Sequence, residues 1–228
     1  MTKFKITVTS DTVCPWCFVG RKQLQAAEQI WKQRYPDSAD TFAVSYQPYQ
    51  LNPYPPFGPA SSRSKEEFYR EKFGAERAKM MHARVGAIGE AVGISFKFGG
   101  QTGSSRDSHR LVRLSKKYGN EVENKTIDGL FASYFEKEGD ITNYDTLRSI
   151  AVDAGISEDD FQRAIVNSDE GGAEVDEAAK QARLGGVSGV PNYVVQDQFE
   201  LQGANNPESF VRVFEKIKAR EAQAGASI

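Results

Sequence analysis

The chain opens on alternation. Phe4, Ile6 and Val8 are apolar, while Lys5, Thr7 and Thr9 between them are polar. A period of two marks a strand with one buried face. The period then changes: Leu24, Ala27 and Trp31 recur at helical spacing, and Tyr35-Pro36-Asp37-Ser38 stops the helix. Phe42, Val44 and Tyr46 restore the alternation of a strand. Pro48 near its end lacks a ladder donor, which predicts an edge position. Strand, helix and strand in this order predict a parallel pair with a right-handed crossover.

Five of the nine prolines fall between Pro48 and Pro59, a stiff irregular connection. Ser64 and Glu67 then form a capping box, and helical patterns run on to about Asn167. The apolar stripes are Met81, Val85, Ile88 and Val92; Leu111, Leu114 and Tyr118; Ile127, Leu130, Phe131 and Tyr134; Leu147, Ile150 and Ala154; and, more briefly, Phe161 and Ile165. Stripes of this kind are core faces, not cofactor boxes. An alanine-rich helix, 173 to 184, stops at Gly185-Gly186. The stretch "GVSGVPNYVV" leads into a strand, and "FELQ" reads as the second strand of a hairpin. Asn206 and Pro207 begin a last helix with Phe210, Val213, Phe214 and Ile217 on its core face.

The chain is 228 residues long, 39% hydrophobic and 26% charged, with a formal charge of −2. That balance lacks the basic surplus of a nucleic-acid partner. No apolar run reaches the roughly 18 residues of a membrane span. The start, "MTKFKITVTSD", has no apolar core of a secretory signal, so a cytoplasmic location is expected. Structural disulfides are rare in that compartment.

This sharpens the meaning of the two cysteines, Cys14 and Cys17, in "SDTVCPWCFVG". They sit where the first strand meets the first helix. A helix N-terminus offers unpaired N–H groups and a positive dipole end, both of which stabilise a thiolate at Cys14. Pro15 suits the first helical turn. Cys17 lies one turn on and on the same face, within reach for a reversible disulfide. Cys14 is then expected as the exposed attacking thiol and Cys17 as the more buried resolving one. Two other readings remain. A zinc site would need two more ligands, and the only histidines, His82 and His109, lack metal-ligand spacing. Alternatively the cysteines are inert core thiols.

The stretches "DTVCPWCFVG" and "GVSGVPNYVV" resemble the DsbA-like branch of the thioredoxin superfamily, and within it the FrnE-type oxidoreductases. Relatives of that branch are the 2-hydroxychromene-2-carboxylate isomerases and kappa-class glutathione transferases. "LNP" at Leu51, "DSHRL" at Asp107, "ASYFEKEGDI" at Ala132 and "LQGANNPESF" at Leu201 fit the same branch. The resemblance implies an α/β fold: a thioredoxin fold with a large all-helical insertion. Residues 1–60 and 168–228 would form the thioredoxin-like domain and 61–167 the insertion. It also implies a cis Val190–Pro191 bond beside the cysteines, with the Val190 backbone free to pair with a substrate strand, and a substrate contact for Trp16.

The isomerases and transferases usually carry serine where this chain has Cys14. They also tend to have Gly-x-Asp-Arg where it reads Gly203-Ala204-Asn205-Asn206. Both departures favour a dithiol oxidoreductase acting on a disulfide-containing protein or small molecule. No cofactor or metal is then required, and glutathione enters as reductant or co-substrate. The first rival is a glutathione-dependent isomerase or transferase acting on an aromatic or polyketide-like small molecule. The second is a binding module with idle cysteines. Among supporting residues, Asp11 orients the loop or accepts a proton, or is simply a turn residue. Arg21 adds positive potential, or is simply a solvated helix arginine. The glycine-rich "FGGQTGSS" from Phe98 lacks the lysine of a phosphate loop and reads as a connection flanking the active-site groove.

Overall fold

The computed structural model describes residues 1–226; positions 227 and 228 of the expected second thioredoxin-like segment lie outside the described residues. Strand β1 (Lys3–Ser10), helix α1 (Pro15–Arg34) and strand β2 (Thr41–Pro48) open the chain. The insertion follows: β3 (Arg63–Ser64), α2 (Lys65–Phe73), α3 (Ala75–Ala91), β4 (Gln101–Thr102), α4 (Arg106–Ser115), α5 (Asn120–Glu136), α6 (Tyr144–Ala154) and α7 (Glu158–Phe161), which runs into a π-helical turn at Gln162–Val166. Helix α8 (Gly172–Leu184), the hairpin β5 (Asn192–Val195) and β6 (Phe199–Gln202), and helix α9 (Pro207–Ala226) complete the chain. The fold is α/β, a DsbA-like thioredoxin fold carrying a helical insertion.

The main sheet has the order β2-β1-β5-β6. β1 and β2 are parallel, with Phe4 opposite Phe42 and Val8 opposite Tyr46. β5 runs antiparallel to both β1 and β6. Strand β2 is an edge strand, as Pro48 predicts, and the insertion covers that edge. Asn120 and Asn124 of α5 donate to the Val44 carbonyl at 2.6 and 3.0 Å, while Glu123 accepts from the Tyr46 amide at 2.7 Å. Side chains thus satisfy the backbone groups that would otherwise invite a foreign strand.

On one face of the sheet, Phe4 meets Trp31 of α1, Phe42 of β2 and Phe214 of α9, with ring centroids 5.2, 5.2 and 4.8 Å apart. Pairs of this kind contribute about 0.5–1.5 kcal/mol each beyond their buried area. A second aromatic cluster joins α1 to the insertion, where Phe18 stacks on Phe131 and Phe135 of α5. Helix α1 is therefore shared by both halves, and its N-terminus lies between them.

Two details depart from the reading of the insertion. The stretch behind the capping box breaks at Gly74 (φ +80°) into α2 and α3. The glycine-rich connection supplies β4, so a two-residue ladder with β3 accompanies the helices. The cap itself forms: Ser64 Oγ accepts from the Glu67 amide at 3.3 Å.

Candidate active site

Cys14 is the N-cap of α1 and Pro15 opens the helix. The Cys14 amide donates to the Asp11 carbonyl at 3.1 Å, and the Cys17 amide donates back to the Cys14 carbonyl at 3.0 Å. No acidic residue lies in the first turn, so nothing there offsets the positive end of the helix dipole. No disulfide joins the two sulfurs in this structure. Burial pushes the Cys17 thiol well above its usual range, and its hydrogen bond to the Cys14 sulfur adds to this. Cys17 therefore holds its proton and donates it toward Cys14.

Cys14 is not the exposed thiol the sequence led one to expect. It is 4% accessible, against 2% for Cys17. The cause is the insertion: α2, α3 and the β4 connection close over the helix N-terminus. What Cys14 has, and Cys17 lacks, is a place in the wall of a cavity of about 610 Å³. That size is ordinary for a small-molecule site. Pro15, Trp16, Gly189 and Val190 lie in the same wall as Cys14. Opposite stand Phe68, Tyr69 and Phe73 of α2 and Met81 and Val85 of α3, with Arg63 and Lys72 supplying positive charge. Leu51, Asn52 and the Thr102–Ser104 connection complete it.

The Val190–Pro191 bond is cis, and the Cys14 thiol donates to the Val190 carbonyl at 3.7 Å. Pro191 is buried and reaches α1 one turn beyond Cys17. A methyl group at Gly20 would lie 2.9 Å from Pro191 Cγ and 2.1 Å from the Tyr193 hydroxyl. Glycine at this position allows β5 and its leading loop to approach the active-site helix closely.

Asp11 is fully buried and ties the loop together. Its Oδ2 accepts from the Leu51 amide at 2.7 Å and its Oδ1 from the Val13 amide at 3.4 Å. His109 Nε2 donates to the Tyr49 carbonyl at 3.0 Å and lies 3.4 Å from Asp11 Oδ1. Ser108 Oγ pairs with Thr12 Oγ1 at 2.6 Å. Helix α4 thus grips the two residues that precede the Cys14 turn. The "DSHRL" segment carried this information, but only through the resemblance, because its spacing reads as one more amphipathic helix.

Arg21 is not a solvated helix arginine and does not face the cavity. It is 7% accessible and makes a bidentate pair with Asp128 of α5 at 2.8 and 2.9 Å. The packing of Phe18 against α5 draws the whole face of α1 inward and takes Arg21 with it. Tyr69, which the sequence did not single out, lines the cavity. Burial, helped by Cys14 and Asp11, pushes its hydroxyl up to about 12. Among the described residues no cluster of three or more His, Cys, Asp or Glu side chains is placed to hold a metal ion. His82 stacks on Phe98 with ring centroids 4.1 Å apart. Among the described residues, no helix is long and apolar enough to cross a membrane.

Comparisons with known proteins agree with this architecture. A probable DsbA oxidoreductase of Streptomyces coelicolor superposes with a TM-score of 0.79 at 24% identity, over 93% of this chain and 89% of that one. A 2-hydroxychromene-2-carboxylate isomerase superposes with a TM-score of 0.62 at 12% identity, over 98% of each chain. The cytosolic disulfide reductase DsbM of Pseudomonas aeruginosa, solved with GSH, gives 0.59 at 13% identity, over 95% of this chain and 99% of that one. At such identities these likenesses speak for the fold. Among curated proteins none matches the chain in sequence. The model of one family, however, matches residues 5–215, nearly the whole length, and the chain therefore belongs to the DSBA-like thioredoxin domain family.

Proposed function

We propose that this protein is a thiol–disulfide oxidoreductase in which Cys14 is the nucleophile and Cys17 the resolving thiol. The observation that carries the proposal is the placement of the pair: Cys14 caps the N-terminus of α1 and lines the cavity, while Cys17 is buried one turn along, outside it. The Cys14 thiolate attacks a substrate disulfide, a new S–S bond forms, and one substrate thiolate leaves. Cys17 then loses its proton and attacks Cys14 Sγ, which forms the Cys14–Cys17 disulfide and releases the second thiol. Two electrons pass from the protein dithiol to the substrate. Trp16 and Val190 lie beside Cys14 and contact the substrate, with the Val190 backbone available to an extended partner. Pro191 fixes the segment that presents it. Asp11 holds the turn from below. No cofactor beyond the dithiol is required. Glutathione is the natural reductant of the resulting disulfide in a cytoplasmic setting, where a disulfide-bearing protein or small molecule is the partner.

A second reading has its own support. The apolar volume between Cys14 and Phe68, Tyr69 and Phe73 suits an aromatic ligand, as a glutathione-dependent isomerase or transferase would need. One set of variants separates the two. Under the dithiol reading, Cys17→Ser accumulates mixed disulfides with glutathione or client proteins, visible by intact mass after acid trapping of free thiols. Cys14→Ser gives none and loses disulfide reductase activity by at least about a hundredfold. Adducts on Cys14→Ser, or equal adducts on both, would refute the assignment. Saturable glutathione binding with full turnover in Cys17→Ser would favour the isomerase or transferase.

A further inference from the structure

The dithiol reading leaves open what kind of disulfide Cys14 meets. A thiolate must reach a disulfide sulfur directly to exchange with it. Cys14 is 4% accessible, and the space in front of it is a cavity of about 610 Å³. A disulfide carried by a small molecule fits that space. One on the surface of a folded protein does not enter it.

The lining says which small molecule. Among the described residues two of its side chains are charged, Arg63 and Lys72, and none is a carboxylate. Both cations lie over one ring: the Arg63 guanidinium is 5.7 Å from the centre of Phe68 and the Lys72 ammonium 5.2 Å. Lys72 is also 5.6 Å from the Phe73 ring. These ring faces could otherwise attract a cationic ligand, and they already meet Lys72. Arg63 has Glu71 as a partner. Among the described residues Lys72 has neither a carboxylate partner nor a hydrogen bond to the protein. The uncharged donors agree. The Trp16 indole N–H and the Tyr69 hydroxyl belong to the lining, and neither donates to the protein among the described residues. Burial holds the Tyr69 hydroxyl at about 12, so it stays a donor at neutral pH. Lining hydroxyls that could accept are already engaged. Ser61 accepts from the Ser104 amide at 3.0 Å and donates to the Gly58 carbonyl at 2.6 Å, and Thr102 pairs with Tyr134 at 2.7 Å. A wall with two cations, free N–H and O–H donors and aromatic side chains is complementary to an anion carried on a ring.

We propose that Arg63 and Lys72 form an anion subsite in the α2 wall of the cavity, and that the substrate of this dithiol is a small aromatic disulfide bearing an anionic group. The inference rests on the dithiol reading and names its substrate. The anion pairs with Lys72 and Arg63, the ring packs on Phe68 and Phe73, and the S–S bond is brought to Cys14. The Cys14 thiolate bonds to one substrate sulfur, and the other leaves as a thiolate. Cys17 then loses its proton to solvent and bonds to Cys14 Sγ, which releases the first sulfur as a second thiolate. Two electrons pass from the protein dithiol to the substrate. Oxidised glutathione is a poorer match, because it also brings two ammonium groups for which the lining offers no carboxylate.

The test compares reduced protein with an aromatic dianion, dithiobis(nitrobenzoate); an uncharged aromatic, dithiodipyridine; an aliphatic dication, cystamine; oxidised glutathione; and insulin. Each rate is divided by the rate of the same disulfide with mercaptoethanol, which removes its intrinsic reactivity. The dianion should then rank first and exceed cystamine by about a hundredfold, as like charges in a partly desolvated site require. Lys72→Glu should lower the ratio of dianion to dithiodipyridine by at least about tenfold, and added salt should lower the wild-type ratio. Lys72 is exposed, so the substitution spares the core, and a melting curve checks that. Lys5→Gln, exposed on β1 and outside the lining, should leave the ratio unchanged. A ratio indifferent to both Lys72→Glu and salt would overturn the anion subsite. Insulin reacting as fast as the dianion, after the same division, would overturn the small-molecule assignment. Neither result touches the dithiol reading if the dianion releases two thionitrobenzoates per protein and leaves a Cys14–Cys17 disulfide. A single release with a stable adduct on Cys14 would overturn the dithiol reading and this inference with it.

Discussion

Two pairs of helices in the insertion flank the same active site, and they are built differently. In α4 every residue but Arg113 is buried, including Arg106, Asp107, His109 and Arg110. Arg110 alone donates to Asp107 and to the carbonyls of Ala164, Ile165, Ser168 and Glu170, so it closes the end of the π-helical turn beyond α7. Helix α5 adds the Arg21–Asp128 pair and the cover of the β2 edge. In α2, by contrast, Lys65 is the one buried residue, and in α3 only Ala78, Val85 and Gly89 are. What α2 and α3 give to the site is an aromatic surface over the cavity. One pair is a frame that fixes the Cys14 turn through many directional bonds. The other is a cover that shapes the space in front of it with few. Directional buried bonds hold one geometry, whereas apolar contact alone tolerates several.

The largest expected effect breaks a bond of the frame. Arg110→Ala strands the buried Asp107 carboxylate and the last carbonyls of a helix, and should cost about 3–5 kcal/mol by denaturant unfolding. Phe73→Ala in the cover should cost about 1 kcal/mol. Equal costs would end the distinction between frame and cover. A smaller effect is expected in native-state hydrogen exchange. Amides of α2 and α3 should open at a free energy lower than those of α4 and α5 by on the order of 2 kcal/mol. Uniform protection across the insertion would show that the cover is held as firmly as the frame.

The smallest effect concerns the one buried residue of α2. Lys65 donates to the Tyr134 carbonyl at 2.9 Å and sits 3.8 Å from the centre of that ring. Burial pulls its ammonium down to about 8, with Glu138 and Asp140 working against it. A lysine with a lowered folded value is protonated in both states below pH 8, and its buried charge is then fully costly. Between pH 8 and the ordinary lysine value the folded protein sheds the proton first, so stability rises with pH in that window. Relative to Lys65→Met, the wild type should gain about 1 kcal/mol from pH 7 to 10, read from paired melting curves. No relative gain would show that Lys65 is hydrated and the cover looser still.

Most of the elements were legible from local pattern. The alternation of Phe4, Ile6 and Val8, the edge strand ending at Pro48, the hairpin after Pro191 and the cap at Ser64 all follow from side-chain period and backbone chemistry. So does the place of Cys14 at a helix N-terminus. The site was legible at its centre and not at its rim. Period identifies a buried face without naming what covers it. Arg21 looked like any helix arginine because its partner, Asp128, lies 107 positions away. "RDSHRLVRLS" showed Leu111 and Leu114 as one apolar stripe, and nothing in its spacing says that the polar side of the helix is buried as well.

The sequence by itself thus determined the order of strands and helices, the dithiol and its helix terminus, because each depends on neighbours within a turn or two. The tertiary structure decided which thiol meets the cavity, which residues enclose it, and how Asp11 and Arg21 are paired. Those outcomes depend on desolvation and on pairing between distant segments. Burying a charge or a hydroxyl is costly unless a partner is supplied, and only the folded chain determines which partner arrives.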